Sequence, residues 1–197
     1  MYTSQILTRD VDLKDYQVKT FEQIGVMFPI EYLKSSFIRI FKNTVTNEII
    51  GGFAIVLNTN LRTLDSISGK YNDKKYNESN TMEITGLWLD RDIKNGILCT
   101  KFWLHFFKDV YGQKDKDFIV YAYDLAKPKL QKLYSKGSPT ILYRGKTKKL
   151  KGMETESIES IEVVARKSLL QVLFKNTHYL VKKIVFKRNR LSLRKYA

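Results

Sequence analysis

The segment Met82 to Val110, MEITGLWLDRDIKNGILCTKFWLHFFKDV, holds the residue spacing with the clearest chemical potential. A β-favouring apolar run ends at Leu89, a charged turn covers Asp90 to Asn95, Gly96 follows, and an aromatic-rich helical pattern begins. The first turn of a helix presents backbone N–H groups without intrahelical partners, and the helix dipole adds partial positive charge there. Such a strand–turn–helix unit can therefore hold an anionic group. Here that group would meet Lys94, Asn95, Gly96, Ile97, Leu98 and Cys99. The same unit also serves as ordinary packing, so the pattern alone leaves both readings open. Cys99 is the only cysteine, which excludes an internal disulfide and a multi-cysteine zinc site. It reads either as a small buried residue near a helix start or as a nucleophile, and the second reading needs a histidine partner from a chain that has two.

Charge is the strongest global signal. The chain has 197 residues and a formal net charge of +15, which favours anionic partners such as nucleic acid, acidic membrane surfaces or phosphorylated small molecules. The final 32 residues, from Arg166, carry ten Lys or Arg and no Asp or Glu. Within them Leu169, Leu173, Leu180 and Ile184 keep one helical face. An apolar stripe on a basic background describes a docked helix whose outer face is either solvated or turned to a polyanion. Lys146, Lys148, Lys149 and Lys151 add a basic loop. Nucleic acid is thus a possible partner through Lys146 to Lys151 and through Arg166 to Lys195.

The elements that must position these residues follow from periodicity. Gln5 to Leu7 suits a short strand, and a helix runs from Asp12, as a capping residue, to Ile24, with Gly25 at its end. Pro29 breaks the chain before a short helix over Ile30 to Lys34. Phe37 to Lys42 and Glu48 to Leu57 form an antiparallel hairpin. Gly51 and Gly52 mark either a bend or a place where another group comes close to the backbone. Asn58 to Thr81 is long and polar, which fits a mobile flap or a disordered insertion. The central helix covers Ile97 to Val110, with Leu98, Phe102, Phe106 and Val110 on a core-facing stripe. A strand over Asp117 to Tyr123, a helix over Asp124 to Lys136, and strands over Thr140 to Arg144 and Ile158 to Ala165 complete the pattern.

A hydrophobic fraction of 43% supports one globular domain with a full core. No apolar run is long enough to cross a membrane. The start of the sequence lacks a signal-peptide pattern, and a reducing cytoplasm is the expected compartment.

The order of elements resembles the GCN5-related N-acetyltransferase (GNAT) superfamily over Gln5 to Arg144. The hairpin ending in IIGGFAIV resembles its second and third strands. LWLDRDIKNGILCTKFWLHFF resembles its fourth strand and third helix, where the family carries the turn (Gln/Arg)-x-x-Gly-x-(Gly/Ala). Aligned on Gly96, Ile93 and Leu98 stand at the basic and small positions, and a one-residue gap places Lys94 at the basic one. DLAKPKLQKLYSKG resembles its fourth helix, where a tyrosine near the helix end is common. The resemblance implies an α/β fold with an α+β mixed sheet over residues 1–165, followed by a basic helical extension over residues 166–197. It implies an N-acyltransferase using acetyl-CoA or another acyl-CoA and an unknown amine acceptor. Lys94 to Cys99 would hold the diphosphate, and backbone N–H groups of Leu87 and Leu89 would polarise the thioester. Tyr134 would protonate the thiolate, and Glu83 would act as base or lie exposed on its strand. Asp124 would orient substrate or cap the following helix. The alternative is a nucleic-acid-binding or DNA-modifying protein on the same scaffold, as in some phage proteins.

Overall fold

The computed structural model describes residues 2–57, 61–71, 74–90, 93, 96–154 and 156–169. The chain runs through β1 (Tyr2–Ile6), α1 (Asp10–Ile24), α2 (Ile30–Lys34), β2 (Ser36–Asn43), β3 (Ile49–Val56), α3 (Arg62–Asp65) and β4 (Thr81–Leu89). It continues through α4 (Gly96–Gly112), β5 (Phe118–Asp124), α5 (Pro128–Tyr134), a 3₁₀ turn (Ser135–Gly137), β6 (Thr140–Lys146) and β7 (Ile158–Ala165). The strands form one mixed sheet in the order β1-β2-β3-β4-β5-β7-β6. β4 and β5 are parallel, because α4 crosses over between them, and the other neighbouring strands are antiparallel.

Alternation along the strands sends side chains to two covered faces. Phe53, Ile55, Met82, Ile84, Ile119 and Val164 pack with Leu98, Phe102, Phe106 and Val110 of α4. Ile38, Ile40, Ala54, Val56 and Trp88 pack on the opposite face with Leu13, Tyr16 and Leu33 of α1 and α2. β3 is buried along its whole length because both faces are covered. Gly52 has a specific reason to be glycine: a Cβ there would lie 2.8 Å from the Tyr16 ring and 3.0 Å from the Arg39 carbonyl. The close approach at Gly52 is therefore made by α1, and that at Gly51 by Leu89 of the neighbouring strand β4, 2.7 Å from a Cβ placed there.

Three sequence expectations need correction. Asp12 does not cap α1, which starts earlier, at Asp10 after Arg9. Its carboxylate instead accepts a bond from Arg9 Nε at 2.7 Å. The helix expected from Asp124 starts at Pro128 because β5 extends through Asp124, which pairs with Glu159 and accepts the Ala126 N–H at 2.8 Å. The described part of Asn58 to Thr81 is packed structure and not a flap. Leu61, Ile67 and Tyr76 join Val120, Ile161 and Val163 in a third buried cluster.

Of the expected C-terminal extension, only Arg166 to Leu169 falls among the described residues. Buried Arg166 donates to the carbonyls of Lys116 and Tyr111 at 2.6 and 2.9 Å, and Leu169 packs on the α4 side of the core. Among the described residues no helix is long and apolar enough to cross a membrane.

Candidate functional site

The sheet opens at its parallel seam. β4 and β5 are in register only where Thr81, Met82 and Glu83 face Phe118, Ile119 and Val120. Beyond that point β4 runs on to Leu89 and β5 to Asp124 without pairing to each other. Two local features accompany the divergence. Gly52 pairs with Trp88 but Ala54 with Thr85, so β4 carries one extra residue, a bulge around Gly86. Gly86 has φ +57, and a Cβ there would collide with the Tyr16 hydroxyl, which instead donates to the Gly86 carbonyl at 2.9 Å. At the far end the Asp90 N–H bonds the Ile50 carbonyl at 2.9 Å, on the β3 side. Strand alternation then turns the Leu89 N–H away from β3, while Leu87 lies within the bulge, opposite Phe53.

A cavity of about 450 Å³ occupies this opening. One wall is aromatic: Trp103, Phe106 and Phe107 of α4, Tyr121 and Tyr123 of β5, and Tyr134 of α5. The Tyr134 ring centroid lies 4.7 Å from that of Tyr121 and 5.3 Å from that of Tyr123, each pair tilted by 30°. Burial and the nearby Glu162 charge push its phenol up to about 12, so it stays protonated through the neutral range. Pro128 opens α5 and holds Tyr134 one short helix away from β5.

The other wall carries the charge. Glu83 is 2% exposed yet borders the cavity. Thr63, at the start of α3, donates to it twice, from Oγ1 at 2.8 Å and from its backbone N–H at 3.2 Å. Burial raises the Glu83 carboxyl above its ordinary value, while the two Thr63 bonds, the neighbouring Tyr32 hydroxyl and the Arg62 charge pull it back. The Tyr32 hydroxyl is buried beside this carboxylate and has no partner at bonding distance among the described residues. A buried carboxylate with partly filled acceptor capacity, facing a cavity, is equipped to take a proton.

The structure brings Glu83, Leu87 and Tyr134 together around the cavity. Leu89 packs half-buried on the α4 side of the core, away from the cavity lining. Gly96 opens α4, Ile97 is exposed, and Cys99 is half-buried; none of the three borders the cavity. The Leu98 side chain is only 2% exposed and points into the core, so it does not stand over the outer surface of the first turn. Lys94 and Asn95 lie outside the described residues. Asp124 borders the cavity as well as closing its turn. In the basic loop, Lys146 pairs with Glu156 and Lys148 donates to Ser68 Oγ at 2.6 Å. Sequence reasoning missed Arg62, Thr63 and Tyr32. No local pattern marks them, since they reach Glu83 only through the fold; the signal available was Leu61 and Ile67 flanking a polar run.

No family model and no curated protein matches the sequence. Solved structures match it in fold. Arabidopsis thaliana NAA60 in complex with acetyl-CoA is 12% identical with a TM-score of 0.57, over 84% of this chain and 98% of that one. FeeM, an N-acyl amino acid synthase from uncultured soil microbes, is 12% identical at 0.54, over 85% and 93%. A GNAT family acetyltransferase from Elizabethkingia anophelis with acetyl-CoA bound is 15% identical at 0.51, over 83% and 97%. The chain has the fold of the GNAT acetyltransferases, a mixed seven-stranded sheet opened between its fourth and fifth strands.

Proposed function

We propose that the protein is a divergent GNAT enzyme, an acyl-CoA-dependent N-acyltransferase acting on an amine. The observation that carries this reading is the opened seam, with a proton acceptor on one wall and a protonated phenol on the other. The residues fit the donor. Gly96 starts the 17-residue helix α4, and its N-terminal turn, with Lys94 to Cys99, would hold the diphosphate. The N–H groups of Leu87 and Leu89 would bind the acyl carbonyl and favour negative charge on its oxygen.

Acyl-CoA, when bound, supplies an activated thioester. Glu83 removes the proton from the attacking amine nitrogen as its bond to the carbonyl carbon forms. Tyr134 donates its phenolic proton to sulfur as the carbon–sulfur bond breaks. Both protons then re-equilibrate with solvent. The raised carboxyl at Glu83 suits the first task, because a base nearer neutrality binds the proton more firmly than an exposed glutamate does. The solved relatives with acetyl-CoA support this donor class.

The test is direct binding. Calorimetric titration of the full chain with acetyl-CoA should give a saturable heat, and Gly96→Glu should remove it while leaving the thermal melt intact. CoA affinity unchanged in Gly96→Glu would unseat the assignment of the turn. No CoA thioester binding to the native chain would end the acyltransferase reading.

A further inference from the structure

Opposite charges that share a cavity wall normally pair. Arg62 and Glu83 both border this cavity, yet no ion pair within 4.0 Å joins them among the described residues. Each is held in place by something else. The Arg62 guanidinium lies 5.8 Å from the Phe28 ring centroid and 5.3 Å from that of Tyr32, and its Nη2 donates to the Lys151 carbonyl at 2.8 Å. Glu83 is fixed by Thr63, the residue next to Arg62. The Arg62–Thr63 segment of α3 therefore holds the β4 carboxylate through Thr63 and sets the guanidinium near it but unpaired with it. Guanidinium has five N–H donors, and among the described residues Arg62 uses one. Planar, forked donors of this kind recognise carboxylates.

We infer that the acceptor is an α-amino acid with an apolar side chain, its amine at Glu83 and its carboxylate on Arg62. This rests on the acyltransferase reading above. The two ligand charges stand on one carbon, which matches two protein charges that face one space without touching. The apolar side chain has its place at Val26, Phe28 and Met153, which border the same cavity; Phe28 lies under the Arg62 guanidinium, and Val26 bridges to Met153. A diamine fits less well. The other acidic groups at the cavity are already engaged: Asp124 by the Ala126 N–H and by Lys127 at 3.8 Å, and Glu159 by Thr147 Oγ1 at 2.9 Å.

Isothermal titration of the full chain with L-leucine, L-phenylalanine, L-leucinamide and 1,5-diaminopentane tests this, each with and without CoA. Thiol release from acetyl-CoA is followed in parallel. L-Leucine should bind about ten- to a hundred-fold more tightly than L-leucinamide, which lacks the anionic oxygen. Arg62→Gln should collapse that ratio to about one. Arg62→Lys keeps the charge without the fork and should retain part of the ratio, which decides the matter should the glutamine variant not fold. The inference is overturned by equal binding of leucine and leucinamide, by preference for the diamine, or by a ratio that survives Arg62→Gln. Absence of CoA binding overturns the reaction instead, and the amino-acid titration without CoA still reports on Arg62.

Discussion

Two buried carboxylates flank the opened seam, and they are used differently. Glu162 on β7 is 2% exposed, as Glu83 is. Glu162 accepts from Tyr123 at 2.8 Å, Ser160 at 2.9 Å and Tyr121 at 3.2 Å, with Arg144 3.6 Å away. Three of its roughly four acceptor sites are taken by hydroxyls, and the cavity is bordered by the tyrosines that hold it and not by Glu162 itself. Among the described residues Glu83 accepts hydrogen bonds from Thr63 alone, with the Tyr32 hydroxyl nearby, and it faces the cavity directly. Burial is common to both, so burial does not mark the proposed base. Unfilled acceptor capacity next to open space does.

Replacing each carboxylate by its amide sharpens the contrast. Glu83→Gln should lower turnover on the order of 10²- to 10⁴-fold, the range for a positioned base. It should leave stability at pH 8 equal to or above that of the native chain. The sign follows from the raised carboxyl. The folded state binds that proton more tightly than the unfolded state, so Glu83 costs stability as pH rises through its folded value, and the amide removes the cost. If the proposed reaction holds, activity of the native chain should rise with pH along a limb set above the ordinary glutamate value. A pH–rate profile without that limb would assign the base elsewhere.

Tyr134→Phe should slow turnover on the order of ten- to a thousand-fold when chemistry limits the rate, with CoA affinity little changed. Because burial places the phenol up at about 12, the native chain should show no loss of activity from this group between pH 7 and pH 9. Full activity of the phenylalanine variant would make Tyr134 a packing residue.

Glu162→Gln reverses the pattern. It sets an amide donor among phenolic donors and should cost about 1–3 kcal/mol of stability by denaturant titration, with a smaller effect on turnover than Glu83→Gln. The smallest change expected is that of Thr63→Val. Loss of the Oγ1 bond lets the Glu83 carboxyl rise further, so the activity limb moves to higher pH and the rate near neutrality falls a few-fold.

The sequence makes the scaffold legible where punctuation is local. Pro29 and the apolar pair Tyr32 and Leu33 place α2, Gly25 ends α1 in a left-handed conformation, and alternation in IESIEVVA defines β7. Glu83 and Tyr134, which border the cavity, are singled out in the sequence by the family resemblance. The partners of Glu83 were not, because Thr63 lies 20 residues away in a polar stretch whose few apolar residues hide a packed segment. The Glu162 network escaped for the same reason. Its tyrosines stand about 40 residues from it and meet it only through the antiparallel register of β5 and β7.

The short parallel seam has a consequence for how the molecule opens. β1 to β4 form one antiparallel meander, and β5, β7 and β6 form a second antiparallel unit. Inside the sheet, the register at Thr81 to Glu83 is the bridge between them. Amide hydrogen exchange should therefore reveal two cooperative blocks divided at that line. Exchange at Met82 and Ile119 should report the separation of the blocks before either one melts.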